Sequence, residues 1–255
     1  MAVWELLAPR RPLITSKASR WTTNLGIVLL DTLAVRLILP MQAVGMALFV
    51  EAHGWGILNN FILPPWMRIL LGVLGLDLII YLQHAMFHAL PLFWRVHRMH
   101  HTDLDFDVTT GIRFHPLEIL LSMGIKMAAV AALGPSALAV VLFEVLLNAT
   151  SMFNHGNVRL PKEIDRVLRL LVVTPEMHRV HHSVVIKEHN SNFGFNFPWW
   201  DRLMGTYEAQ PMKGHEGMTI GLSQYRNPRH LTFPWLLIQP FFGPATYPLG
   251  QRKEG

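Results

Sequence analysis

Nine of this chain's fourteen histidines fall in short patterns that suit metal ligation. "HAMFH" sets His84 and His88 four residues apart, and "HRMHH" carries His97, His100 and His101. "HRVHH" repeats that spacing with His178, His181 and His182, and His155 closes "SMFNH". Residues three or four apart share one face of a helix, so each pattern gathers its imidazoles on one side. Nine nitrogens exceed one ion's need, because zinc takes about four ligands in a structural site and about three in a catalytic one. Two ions with four or five nitrogens each would use the whole set, and paired ions a few ångströms apart serve difficult chemistry. The chain has no cysteine, which excludes thiolate zinc sites, iron–sulfur clusters and disulfides. Histidine and oxygen ligands suit iron, zinc, manganese or copper.

Metal-bound imidazoles need partners on their outer nitrogens. Asp77 and Tyr81 precede His84 on its own helical stripe and are expected to supply them. Glu144, Asn148 and Ser151 lead into His155 in the same way, and polar residues in a membrane helix are costly and tend to be functional. His115 and Glu118 in "FHPLE" are expected to brace the helix that follows. His53, His215 and His230 read as surface residues, while the sequence leaves His189 undecided. Phe195, Phe197, Trp199 and Trp200 suit either an interfacial wall against substrate or simple packing.

These groups need elements to position them. Hydrophobic residues make up 51% of the chain and charged residues 15%, against roughly 25% charged in an average soluble domain. Four apolar segments stand out: about 24–50 with a kink at Pro40, about 66–89, and the pair "PLEILLSMGIKMAAVAALG" and "SALAVVLFEVLLNATSMF" joined by a short turn. The first reads as a retained membrane helix rather than a cleaved leader, because Asp31 and Arg36 interrupt it. Lys and Arg crowd the amino-terminal arm, the 90–115 link and the region after residue 155, whereas the other two links carry none. By the positive-inside rule both termini and the nine histidines then face the cytoplasm. The expected fold is an all-α integral membrane protein of about four transmembrane helices in two hairpins. A cytoplasmic helical cap holds a histidine-rich di-metal site, and residues 1–255 form a single membrane domain. The net charge of +5 fits that orientation, and no nucleic-acid partner is expected.

In order along the chain, "DLIIYLQHAMFH", "FWRVHRMHH", "FHPLE", "NHGN", "TPEMHRVHHS" and "HNSNFGFNFPWWDRLMGTY" resemble the fatty acid hydroxylase and sterol desaturase superfamily. The resemblance covers roughly residues 70–210. It implies two iron ions, with zinc as an inactive substitute, and O2 as co-substrate. It also implies a lipid substrate drawn from the bilayer. By position it implies metal ligation by His84, His88, His97, His100, His101, His155, His178, His181 and His182. Some members carry a tenth histidine shortly after the position of His155; here that neighbourhood offers Asn157, to bind through oxygen, through water or not at all.

The implied reaction is hydroxylation of a lipid C–H bond, with desaturation at the same centre as the alternative. A sterol, fatty acyl chain, sphingoid base or amino-acid-derived lipid would each suit it. A zinc hydrolase fits less well, because Ala85 stands where an H-E-x-x-H site needs its general base. A bis-histidine haem protein would leave most of the histidines unused. With no cysteine and no Gly-rich nucleotide fingerprint, electrons are expected from a separate ferredoxin or b-type cytochrome with its reductase.

Overall fold

Prolines, glycines and hydroxyl caps divide the apolar sequence into helices. A computed structural model describes residues 1–243, which form α1 (Ala2–Leu7), α2 (Lys17–Ile38), α3 (Gln42–His53), α4 (Pro65–Ala89), α5 (Pro91–His101), α6 (Pro116–Leu133) and α7 (Ala137–Asn154). Shorter helices follow: α8 (Lys162–Leu168), α9 (Pro175–His181), α10 (Ile186–His189), α11 (Trp199–Leu203), α12 (Gly214–Gly217) and α13 (Phe233–Ile238). Among the described residues there is no β-strand, only isolated bridges at Pro9–Val158 and Ser183–Ile220. The carboxyl terminus, expected on the histidine side, lies outside the described residues.

Four segments are long and apolar enough to cross a membrane: Lys17–Asn60, Pro65–Ala89, Pro116–Leu133 and Ala137–Asn154. Residues 39–41 interrupt the first, as expected at Pro40, and separate α2 from α3. Leu25, Leu29, Leu33 and Leu37 stay exposed at four-residue spacing on α2, with Leu37 80% accessible. A continuous apolar stripe of that kind suits a bilayer rather than water. The core uses smaller residues, with Ala43, Ala47, Ala129, Val130, Val140 and Phe143 packing between α3, α6 and α7.

The turn at 134–136 joins α6 to α7, but each packs more closely on another helix: α6 on α3 and α2, α7 on α4 and α3. Gly134 holds a left-handed φ of +67° at the end of α6, where a β-carbon would also lie 2.6 Å from the Trp55 carbonyl oxygen. Glycine therefore lets the turn at 134–136 touch the link between α3 and α4.

The histidine end is built by two abrupt helix junctions. Only Leu90, extended at φ −107° and ψ 125°, separates α4 from α5. Pro91 lacks an N–H and forces its predecessor out of the helical region, so α5 starts afresh in a new direction. At α9 the Thr174 side chain accepts the Met177 N–H, and Pro175 takes the first helical position. The amino-terminal arm braces this end. Glu5 accepts the backbone N–H groups of both Val108 and Asn157 at 2.7 Å.

Candidate metal centre

The nine histidines lie together, buried, in two adjoining groups. His84, His88, His97, His101 and His181 form one; His100, His155, His178 and His182 form the other. Within each group one ring nitrogen per residue lies within 4.8 Å of all the others. A bond of about 2.1 Å to each imidazole would put opposite ligands roughly 4.2 Å apart, so small ring rotations would close either group on an ion. The groups meet where the His101 and His182 rings stack at 4.5 Å.

Each H-x-x-H-H box serves both groups. His97 and His101 enter the five-histidine group, whereas His100 enters the other. The second box reverses the assignment, with His178 and His182 in the four-histidine group and His181 in the first. Neighbours on a helix diverge by about 100°, so two consecutive histidines address two different points. The sequence reading gathered each box on a single face. That holds for the residues four apart and fails for the third.

The outer ring nitrogens reveal the tautomers. His84 donates Nδ1–H to the Phe193 carbonyl at 2.7 Å, His181 to Ser191 at 2.7 Å, His155 to Ser151 at 2.8 Å and His100 to Arg113 at 3.1 Å. His97 donates to Glu118 Oε1 at 2.6 Å. A carbonyl can only accept, so in four of these rings Nε2 carries a lone pair, and the Glu118 carboxylate fixes the fifth alike. The Nε2 lone pairs of His155 and His100 face each other at 3.2 Å, and the Nε2 atoms of His101 and His178 come within 3.2 Å of His97 Nε2 and 3.1 Å of His155 Nε2. Nε2 of His84 and of His181 has no hydrogen-bond partner. Facing lone pairs repel unless a cation sits between them, so the donor set fits metal. Burial holds His97 and His155 down at about 3. It also pushes His100, His101, His178, His181 and His182 well below the usual histidine range, so all seven are neutral donors at physiological pH.

Backbone geometry explains these carbonyls. The "HNSNFG" stretch carries Ser191 and Phe193, with Asn192 at φ +52°. Asn192 Nδ2 donates to the carbonyls of Met177 and Glu208 at 2.9 and 2.8 Å, and Asp201 accepts the N–H groups of Phe193 and Gly194 at 2.8 and 2.9 Å. Gly111 packs against α7, where a β-carbon would lie 2.6 Å from the Ser151 oxygen and 3.0 Å from His155 Nδ1.

Several expected partners act elsewhere. Asp77 accepts from Trp200 Nε1 at 2.7 Å, and the Tyr81 hydroxyl pairs with Thr206 at 2.9 Å. Both hold the loop that carries the carbonyls, so they support His84 at one remove and touch no imidazole. Glu144 pairs with Lys126 at 2.8 Å, and Asn148 donates to the Glu144 carbonyl at 2.8 Å. Neither reaches His155, because they sit further up α7. Asn157 exchanges two hydrogen bonds with the Arg11 backbone, at 3.0 and 2.9 Å, which turns it away from the histidines.

Of the remaining histidines, His115 caps α6 by accepting the Leu117 N–H at 3.1 Å. His53 is exposed and His230 half-buried. His215 departs from its surface reading: it is buried, 2.9 Å from Glu176 Oε2. Burial opposes charge on Glu176, but His215, Arg179 and Arg10 together hold its carboxyl down at about 2. His189 lies buried 4.4 Å from the His101 ring without entering either group.

Glu118 was expected only to brace a helix. It fixes the orientation of His97, and Glu118→Gln is expected to weaken metal retention or turnover by about 10- to 100-fold. Metal titration of the purified variant checks this, and wild-type retention and turnover would refute the role.

A cavity of about 420 Å³ opens from His84 and His97 towards the membrane-crossing helices. Phe195 forms part of its wall and lies 5.0 Å from the His84 ring, whereas Trp199 stacks on Phe197 at 4.6 Å and donates to the Leu170 carbonyl at 2.7 Å.

The chain resembles known proteins over the stretch that builds this centre. It is 28% identical over 148 residues to ornithine lipid hydroxylase OlsE of Rhizobium tropici, covering 58% of this chain and 44% of that protein. It is 28% identical over 157 residues to human alkylglycerol monooxygenase, covering 60% and 33%. Against the very-long-chain aldehyde decarbonylase GL1-1 of Oryza sativa subsp. indica it is 28% identical over 176 residues, covering 64% and 28%. The match therefore spans less than half of each relative. No solved structure matches. The fatty acid hydroxylase family profile matches residues 69–206, over half of the chain and the region that carries all nine clustered histidines, so this chain belongs to the fatty acid hydroxylase family.

Proposed function

We propose that this multi-pass membrane protein is a di-iron, O2-dependent lipid hydroxylase. The observation that carries the reading is the pair of buried imidazole groups, five and four, with neutral lone pairs turned inward. His84, His88, His97, His101 and His181 would hold one iron; His100, His155, His178 and His182 would hold the other. The bound pair supplies the oxidising power needed to break an unactivated C–H bond. The overall change balances as R–H + O2 + 2 e⁻ + 2 H⁺ → R–OH + H2O, with a separate protein delivering the electrons.

The chain's own residues do the rest. Glu118 and the carbonyls of residues 113, 151, 191 and 193 keep the rings turned inward. The cavity beside His84 admits substrate from the bilayer, and Phe195, Ile80 and Phe114 line it with apolar surface that orients the lipid and excludes water. OlsE and alkylglycerol monooxygenase bear hydroxylase and monooxygenase names, which favours oxygen insertion over desaturation. The run of Lys and Arg supports a cytoplasmic placement of the histidine end.

Metal analysis tests the centre. Two non-haem irons per chain are expected, together with 18O from labelled O2 in a lipid product. A Soret band, or one zinc with oxygen-independent turnover, would overturn the reading.

A further inference from the structure

The cavity at the histidine end is apolar on most of its wall but carries a buried carboxyl group with no partner. Asp31 lies on α2, is only 7% exposed, and lines this cavity. It makes no hydrogen bond or ion pair among the described residues, and its Oδ1 is buried without a partner. Glu118 lines the same space. One of its oxygens accepts the His97 Nδ1–H at 2.6 Å, while Oε2 is likewise buried and unpartnered. Of the basic residues in the wall, Lys126 is already matched to Glu144 at 2.8 Å, and the exposed Arg36 forms no ion pair with either carboxyl group. Burying a carboxylate unpaired is costly, and a bilayer supplies no water to offset it.

We infer that the cavity binds an ammonium-bearing lipid, with Asp31 as the counter-charge for its amino group. The inference rests on the hydroxylase reading only for what happens afterwards; binding needs Asp31 and the cavity. Of the substrate classes the histidine centre would accept, sphingoid bases and amino-acid-derived lipids carry an amine, whereas sterols and plain fatty acyl chains do not. Because Glu118 bridges the cavity and His97, the cationic end of the lipid lies at the histidine end and its tail extends between α2, α4, α6 and α7.

The test uses the iron-loaded full chain in non-ionic maltoside micelles, with octadecylamine and octadecan-1-ol as matched probes. Native mass spectrometry reads the bound fraction of each. Wild-type protein is expected to bind the amine about tenfold to a hundredfold more tightly than the alcohol, the span expected when a charged hydrogen bond is gained. Asp31→Asn should bring amine binding down to the alcohol's level with iron content unchanged, and Asp31→Glu should restore the preference. Equal binding of the two probes by wild-type protein overturns the inference, as does an amine preference that survives in Asp31→Asn. The wild-type comparison decides the matter even if the Asn variant fails to fold. Failure of the hydroxylase reading is distinguishable: it shows as no 18O in any lipid, and leaves the amine preference standing.

Discussion

His181→Ala is expected to strip metal from the five-histidine group and to lower product formation by at least about a hundredfold. Losing a residue that merely supports a ligand costs about 10- to 100-fold in metal affinity or activity, and His181 is placed as a ligand itself. Its ring is fully buried, 4.6 Å from those of both His84 and His101. Its Nδ1–H is committed to the Ser191 carbonyl at 2.7 Å, which leaves Nε2 aimed inward with no protein partner. Alanine removes that nitrogen and leaves a hole that water can enter. The matched control is His230→Ala. That ring is half-buried against Tyr225 and Trp235, 5.2 Å from each, and faces neither group. It should keep both irons and full turnover. Iron content and 18O incorporation, measured on the same preparations, check the pair. A His181 variant with both irons and wild-type turnover would falsify the five-histidine centre.

The clustering of the nine histidines was legible because it depends on residue type and helical spacing, and both are written in the sequence. His84 with His88, or His178 with His182, needs only the rule that residues four apart share a face. Assigning His100 and His181 to the opposite group from their own box needed the relative placement of α5 and α9. The segments 102–115 and 182–207, the second broken into the short helices α10 and α11, set that placement, and they carry no long periodic signal. The supporting shell was harder still. Four of its five acceptors are backbone carbonyls, of Arg113, Ser151, Ser191 and Phe193, and a carbonyl has no residue-type signature. Asp77 and Tyr81 looked right because they share a stripe with His84. A stripe gives direction and not reach, and the segment 191–207, with α11, lies between. Glu144 was similarly placed on the correct face of α7, but its charge goes to Lys126 on the neighbouring helix. The sequence did carry one usable signal for Glu118: an acid in the first turn of α6, just after a link that begins with a histidine box.

Arg20→Ala is expected to destabilise the chain by about 3 kcal/mol, the low end of the roughly 3–5 kcal/mol for breaking a buried ion pair. Arg20 sits on α2, only 2% exposed. Its guanidinium reaches Asp103 through two nitrogens at 2.9 and 2.7 Å and Asp107 at 2.6 Å. Neither carboxylate would be wholly abandoned, which argues for the low end. Arg113 stays 3.3 Å from Asp103, and Asp107 keeps Trp21 Nε1 at 3.2 Å and the Thr109 hydroxyl at 2.6 Å. At about 2–4 °C per kcal/mol for a chain near this size, Tm should fall by roughly 6–12 °C. Burial opposes the charge on Asp103, but Arg20 and Arg113 hold its carboxyl down at about 2, against about 3.9 for an unfolded aspartate. The wild-type contribution is therefore complete above about pH 4 and is lost only as pH falls through about 2. In the variant burial is opposed more weakly, and Asp103 relieves its cost by taking up a proton. The gap in Tm between the two proteins should accordingly be widest near pH 7.5 and narrow towards pH 5, whereas a loss of packing alone would leave it constant. The effect reaches the centre because Asp103 lies two residues beyond His101, so part of the iron should be lost from the variant at neutral pH. Thermal melts at the two pH values, with iron assays alongside, decide it; a wild-type Tm at pH 7.5 would show that the 102–110 link is held by something other than α2.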